Sequence, residues 1–382
     1  MVSAGALTGV RIVSVADRPR AAWAEGLRVL LPDAVLARTG WRRAIGSTGD
    51  LAVPASGGET ITVADVEALR DRRAFTDHPP VSSRLPFRYH LVPGWARAAV
   101  GSAIGRWNRA RVERWGEFPQ WPIDLSTDLL DDLRDVSLRA PSGPPPATPV
   151  VVTHDIDSPE GLANLVGQFL PIEESVGARS TNYIVPCAWP HDAALMSELV
   201  ARGHAVGVHG YDHSNRTPFA GAAERARRLD GARSFSERYQ ASGYRAPSLL
   251  RTRALLRDLS TRYRYDSSIP TTGGLFPSPN NGCATARPYL IESIAELPVT
   301  MPRDGLLRFL GYAPREILQL WIDCADLIAR ARGVVVLLTH CERRFSGHPG
   351  MLDVYRRFLE HVRGRSDRFA FSSPESIVAG LA

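Results

Sequence analysis

The chain changes rhythm at about residue 150. From there on, short apolar or β-branched runs alternate with stretches whose apolar residues recur every three or four positions. The runs are Val150–Ile156, Ser180–Pro186, His204–Gly210, Gly243–Pro247, Arg264–Ile269, Ile294–Thr300, Gly333–His340 and Phe369–Ser372. The helical intervals include Asp192–Arg202, Pro218–Ala241, Leu249–Ser260, Pro314–Ala331 and Gly350–Arg363. A short β-branched run suits a strand buried on both faces, whereas the longer period gives a helix one apolar stripe. Alternation of the two at this spacing predicts a parallel α/β sheet or barrel. No internal repeat is visible.

Residues 138–149, LRAPSGPPPATP, are dense in Pro, Gly and Ser and read as a linker. They divide an N-terminal α/β module, 1–140, from a second unit, 149–382. In the first, a strand is expected over Val10–Val15 and helices near Ala21–Leu31 and Val63–Arg73. The stretch 94–116 places Trp95, Val100, Ile104, Trp107 and Val112 at helical spacing among five arginines. Such a stripe usually packs on a neighbour; peripheral contact with a membrane surface is the alternative. GEFPQWPIDLSTDLL, 116–130, either caps the mouth of the second unit or tethers the linker.

Composition narrows this only a little. A length of 382 residues suggests about two domains. No apolar run approaches the ~18 residues needed to span a bilayer. The N-terminus lacks a basic leader and Arg11 breaks its apolar stretch, so a cytoplasmic setting is expected. Cys187, Cys283, Cys324 and Cys341 are scattered, which fits a reducing compartment and argues against a cysteine zinc site. The net charge is +6, yet every one of the 46 basic residues is arginine. A GC-rich genome explains that better than any site does, but it removes lysine Schiff-base and P-loop chemistry. The arginines are dispersed, so nucleic acid is not an expected partner.

Chemistry gathers where the strands stop. VVTHDIDSPEG, 151–161, ends a buried strand on Asp155 and Asp157, which alternate residues would aim at one spot. A solvated turn with Asp157 or Ser158 capping a helix is the plain reading; a metal-assisted acid–base site is the other. HGYDHSN, 209–215, supplies His209 and His213, four apart after a strand. With an aspartate they make a one-oxygen, two-nitrogen set that leaves a cation an open position. His204, earlier in that strand, reads as a satisfied core histidine. In GYRAPS, 243–248, the proline holds Arg245 extended. VVVLLTH, 334–340, ends a buried strand on His340, an acid or base near neutral pH or merely a strand terminus. Active sites of α/β sheets and barrels lie at these C-terminal strand ends.

Taken in this order, THDID, HxxxH, RxP and LLTH resemble the polysaccharide deacetylases, the NodB-homology enzymes of carbohydrate esterase family 4. The resemblance runs from about 149 to 380, including the closing FAFSSPESI, and is to the branch with Asp-x-Asp. It implies a distorted (β/α)7 barrel, here with the additional N-terminal module, and one divalent metal ion, usually zinc. It makes Asp155 the general base, Asp157, His209 and His213 the metal ligands, Arg245 the holder of the base and His340 the general acid. The activity implied is hydrolysis of the N-acetyl amide of an amino sugar, nucleotide-linked, lipid-linked or in an oligosaccharide. A deformylase or other non-peptide amide hydrolase of this fold is the runner-up. A non-catalytic carbohydrate-binding protein is the rival from another class.

One motif departs. The family's aspartate–tryptophan pair, which orients the histidine acid, has no match in IAELPVTMPRD, 294–304. Glu296 and Asp304 are the carboxylates able to take that place, and Glu296 is preferred because it lies within the strand.

Overall fold

The computed structural model describes residues 146–271 and 285–381 apart from 331, with 282 and 283. Before them it describes 41–42, 53–54, 71, 74–76, 78–84 and 94–112. The strand expected over Val10–Val15, the helix near Ala21–Leu31, the helix near Val63–Arg73 apart from Asp71, and the segment 116–130 lie outside the described residues.

The strands of the main sheet are β1 (Thr148–Ile156), β2 (Thr181–Ile184), β3 (Ala205–His209), β4 (Gly243–Arg245), β5 (Tyr265–Asp266), β6 (Tyr289–Ile291), β7 (Ile294–Glu296), β8 (Val335–His340) and β9 (Phe369–Phe371). Seven of them, in the order β8-β1-β2-β3-β4-β5-β7, form one parallel series. β6 adds antiparallel to β7, and β9 runs parallel to the first residues of β1. The series curls back on itself. Beyond β7, Met301 N donates to Val336 O at 3.2 Å, and the Thr300 hydroxyl bridges Val334 O and Val336 N at 2.8 Å each. This is the expected distorted (β/α)7 barrel.

β1 shows why its sequence folds this way. Alternate residues face opposite layers. Val150, Val152 and Ile156 join the large core beneath the helices, whereas Val151 joins Tyr183, Tyr265, Leu297 and Val336 inside the barrel. Thr153 and Asp155 follow Val151 on that inner face. Ser158 then caps the helix Pro159–Asn164, its hydroxyl accepting from Gly161 N at 3.1 Å.

The described N-terminal segments pack on the barrel. Ala74 and Phe75 belong to the large core, and Ala74 O accepts from Arg251 Nε at 2.5 Å. The expected helix at 94–116 is present as Gly94–Val112, and it lies against the helix Asp304–Phe309. A Cβ on Gly105 would sit 2.0 Å from Phe309 O, so only glycine permits this approach. Val100 and Trp107 are exposed. Among the described residues no helix is long and apolar enough to cross a membrane.

Candidate metal centre

Two strands and the turns after them deliver the first group of side chains. Asp157 follows β1, His209 ends β3 and His213 lies in the turn beyond it. Their ligating atoms all lie within 4.8 Å of one another. Asp157 Oδ1 is 3.2 Å from His213 Nε2 and 3.5 Å from His209 Nε2. It is buried, yet accepts no hydrogen bond from any described residue. A buried carboxylate oxygen of this kind, facing two imidazole nitrogens, is a donor set that fits a cation.

The surrounding bonds prepare the histidines. His209 Nδ1 lies 3.0 Å from the carbonyl oxygen of Arg245, which can only accept, so the proton sits on Nδ1 and Nε2 faces the aspartates as a lone pair. Burial lowers the His209 pKa and favours that neutral form. The turn carrying His213 is sharply bent, with left-handed φ at Gly210 (66°), His213 (57°) and Asn215 (64°). Arg228 braces it, donating to Asp212, to the Ser214 hydroxyl at 2.7 Å and to the Thr217 hydroxyl at 2.9 Å.

Asp155 sits beside this group inside the barrel. Its Oδ2 is 3.7 Å from His209 Nε2, and its Oδ1 accepts from Arg245 Nη1 at 3.0 Å. Arg245 is fully buried and held on every side. It donates to the Thr153 hydroxyl at 2.9 Å, to Ser267 O at 2.9 Å and to the Ser267 hydroxyl at 2.8 Å, and it stacks 4.0 Å over the Tyr183 ring. Burial alone would raise the Asp155 pKa; His209, Arg245 and His340 together bring it below the ordinary carboxylate value.

His340, at the end of β8, is paired with Asp304. Asp304 Oδ1 lies 2.8 Å from His340 Nδ1, and Asp304 Oδ2 accepts from His340 N and the Ser346 hydroxyl, each at 2.8 Å. Burial opposes the imidazolium, but Asp304 outweighs it and the His340 pKa rises to about 9. The position after Asp304 is Gly305, and the Phe345 ring takes the neighbouring space. A Cβ on Gly305 would be 3.2 Å from Phe345, whose ring centroid is 4.8 Å from that of His340.

The preference for Glu296 is therefore corrected: among the described residues, Asp304 is the carboxylate on His340. Glu296 lies in register with Asp266 across β5 and β7, and accepts from Ile269 N at 2.9 Å. Burial raises both carboxyls, Asp266 to about 6, and the charge of Asp266 adds to the rise at Glu296.

Glu342 went unread in the sequence. Its Oε1 accepts from Asp157 N at 3.2 Å and from the Ser158 hydroxyl at 2.8 Å, fixing the turn that presents Asp157. Burial and the charge of Asp157 push it up to about 7. Its signal was slight: a carboxylate two residues after His340.

Comparison with solved structures follows this geometry. A putative polysaccharide deacetylase from Mycobacterium smegmatis superposes with a TM-score of 0.52 at 18% identity, covering 63% of this chain and 92% of its own. The fold is that of the polysaccharide deacetylases. Puue allantoinase (TM-score 0.48, 16% identity) and a probable polysaccharide deacetylase from Pseudomonas aeruginosa PAO1 (0.46, 16%) each cover 63% of this chain and 94% of their own. No family model and no curated protein matches the chain.

Proposed function

We propose that this polysaccharide deacetylase fold carries a metal-dependent amidase of the Asp-x-Asp kind, which removes the N-acetyl group from an amino sugar. One observation carries the reading. Asp157, His209 and His213 converge within 4.8 Å, with Asp155–Arg245 and His340–Asp304 beside them. Under this reading 149–382 is the catalytic unit, and Asp157, His209 and His213 hold one divalent cation, most simply zinc, whose chemistry is Lewis acidity toward an amide carbonyl.

The chain's own residues do the rest. Asp155, ionised under Arg245, takes the proton of the water that adds to the carbonyl carbon. His340, protonated under Asp304, gives a proton to the departing nitrogen as the C–N bond breaks. A carboxylic acid and a free amino sugar leave with Asp155 protonated and His340 neutral; loss of that proton from Asp155 and uptake of one by His340, through solvent, reset the pair. Arg245 and Asp304 do not react; each fixes the charge and orientation of its partner.

A formyl amide would meet the same groups, so the acyl chain is a matter for assay. A nucleotide- or lipid-linked precursor met in the cytoplasm is part of this reading, which the four scattered cysteines fit. The test is amine release from N-acetylated and N-formylated nucleotide sugars, lipid-linked sugars and chito-oligomers, with zinc or cobalt added. Metal-dependent release from one class is expected. Glycan binding with no release by the metal-loaded chain would favour the binding-protein reading instead.

A further inference from the structure

The turn that carries His213 leans on the turn that follows Arg245. A Cβ on Gly210 would sit 2.5 Å from Cδ of the Pro247 ring, so the two turns are in direct contact. Both are bent through left-handed backbone, at His213 and Asn215 in the first (φ 57° and 64°) and at Ser248 and Leu249 in the second (φ 56° and 55°). Neither serine nor leucine favours that region, and such backbone persists only where its neighbours hold it.

Two of the holds come from residues that precede the linker. Asn215 is buried, and its amide nitrogen donates to the Ser248 hydroxyl at 3.2 Å and to the Ser82 hydroxyl at 3.1 Å. Its amide oxygen is buried too and accepts no hydrogen bond from a described residue, so the side chain is anchored through its nitrogen. Ser82 lies in the short helix Val81–Arg84. The second hold acts on Leu249, whose carbonyl oxygen accepts from Arg251 Nη1 at 2.8 Å. The buried Arg251 is clasped in turn by Ala74 and Thr76. Ala74 O accepts from Arg251 Nε at 2.5 Å, Thr76 N donates to Arg251 O at 2.9 Å, and Arg251 N donates to the Thr76 hydroxyl at 3.3 Å. Phe75, between them, is seated in the large core with the Arg253 guanidinium 4.4 Å over its ring.

We propose that Ala74–Thr76 and Val81–Arg84 brace the candidate metal centre, with Ser82 a positioning residue that acts on His213 through Asn215. This rests on the metal-dependent reading above and gives part of the stretch before the linker a task in it. Arg228 already holds Asp212 and Ser214 in the same turn; Ser82 holds its last residue. The His213 ring stays aimed at Asp157 only while the turn keeps its left-handed course. Releasing Ser82 lets the turn sample other backbone, which lowers the fraction of chains with the ligand set assembled, and apparent metal affinity falls by that fraction.

The test titrates zinc calorimetrically into the metal-stripped full chain and its Ser82→Ala, Ser82→Thr and Asn215→Gly variants. Glycine keeps the left-handed φ at 215 and removes only the amide. Asn215→Gly should bind zinc about tenfold more weakly, the low end for losing an outer support of a ligand. Ser82→Ala should lose about threefold, as one modest hydrogen bond would give, and Ser82→Thr, which keeps the hydroxyl, should not. In the double variant, Ser82→Ala should add nothing to Asn215→Gly. Unchanged zinc affinity in Ser82→Ala, even with a lowered melting temperature, overturns the assignment, as does a loss that adds in full in the double variant. Should Asn215→Gly not fold, Ser82→Ala against Ser82→Thr decides alone. If the unaltered chain takes up no zinc, the metal reading fails, and amide hydrogen exchange still decides the brace. The Ser214 amide, bonded to Asp212 Oδ1 at 3.1 Å, should exchange faster in Ser82→Ala while that of Leu337 in β8 stays the same. Equal exchange at Ser214 in the two chains overturns the brace.

Discussion

His154 and Asp155 are neighbours on β1 and belong to two different polar clusters. Behind the sheet, His154 Nδ1 meets the Thr339 hydroxyl at 2.8 Å and its Nε2 meets Glu173 Oε1 at 2.8 Å. Tyr355 donates to the same oxygen at 2.8 Å, and His204 Nδ1 accepts from Ser180 N at 3.0 Å. Every histidine nitrogen there has a partner, with His204 Nε2 3.3 Å from Glu174. Inside the barrel, by contrast, His209 Nε2 and Asp157 Oδ1 face each other at 3.5 Å without a hydrogen bond, and the backbone at His213 is left-handed. Both clusters hold two histidines and a carboxylate. Residue type therefore does not separate structure from chemistry here. Neither does a buried carboxylate oxygen without a hydrogen bond, which Glu173 Oε2 shares with Asp157 Oδ1. What differs is that the histidine nitrogens behind the sheet are engaged, whereas His209 Nε2 faces two aspartates beyond hydrogen-bonding distance.

The contrast yields predictions of decreasing size. Replacing Asp155 by Asn keeps its shape and removes its basicity. Turnover should drop ~10²–10⁴-fold, the usual worth of general-base assistance. Metal content, measured alongside, should hold, and unchanged turnover would remove Asp155 from the role of base.

Glu173→Ala should instead cost ~3–5 kcal/mol of stability in denaturant unfolding, since it strands a buried partner. Burial raises the Glu173 pKa, but His154 outweighs it and holds the carboxyl well below its ordinary range. Its stabilisation is therefore present above the unfolded carboxylate value of about 4.3 and lost as pH falls below it. Acid unfolding of the variant should lack that component.

For His340 the sign is opposite. An acid with pKa about 9 works below that value, so kcat/KM should decline as pH rises through it. Asp304→Asn should draw that limb down toward the ordinary histidine value of about 6.5. A limb that stays in place would detach Asp304 from the chemistry. The smallest effect belongs to Asp157→Ala in metal-free protein, where stability should change by less than about 1 kcal/mol or rise, because an incomplete group is removed.

Much of this was legible from period and position. β1 alternates buried faces, so the spacing of Asp155 and Asp157 announced a shared side, and strands ending on His209, Arg245 and His340 announced a shared end. The misses have physical causes. β6 and β7 are joined by Glu292 and Ser293, both left-handed (φ 48° and 64°). Two-residue hairpins of that shape normally signal themselves with Asn-Gly or Asp-Gly, and here that signal is absent. The helix expected over Pro218–Ala241 breaks between Ala222–Gly231 and Arg233–Tyr239, where Gly231 lies against the Tyr211 ring. Glu296 ends β7 and Asp304 follows it, both buried carboxylates, and only the curl of the barrel decides which one reaches His340. Glu342 matters through what surrounds it, which no linear pattern encodes.

The central claim is that one cation completes the inner cluster. Crystals of the chain soaked in zinc, with anomalous scattering recorded at the zinc edge, test it directly. The account predicts one ion per chain, about 2.0–2.2 Å from an Asp157 oxygen and a ring nitrogen each of His209 and His213. An ion bound elsewhere, or none at saturating zinc, would contradict it.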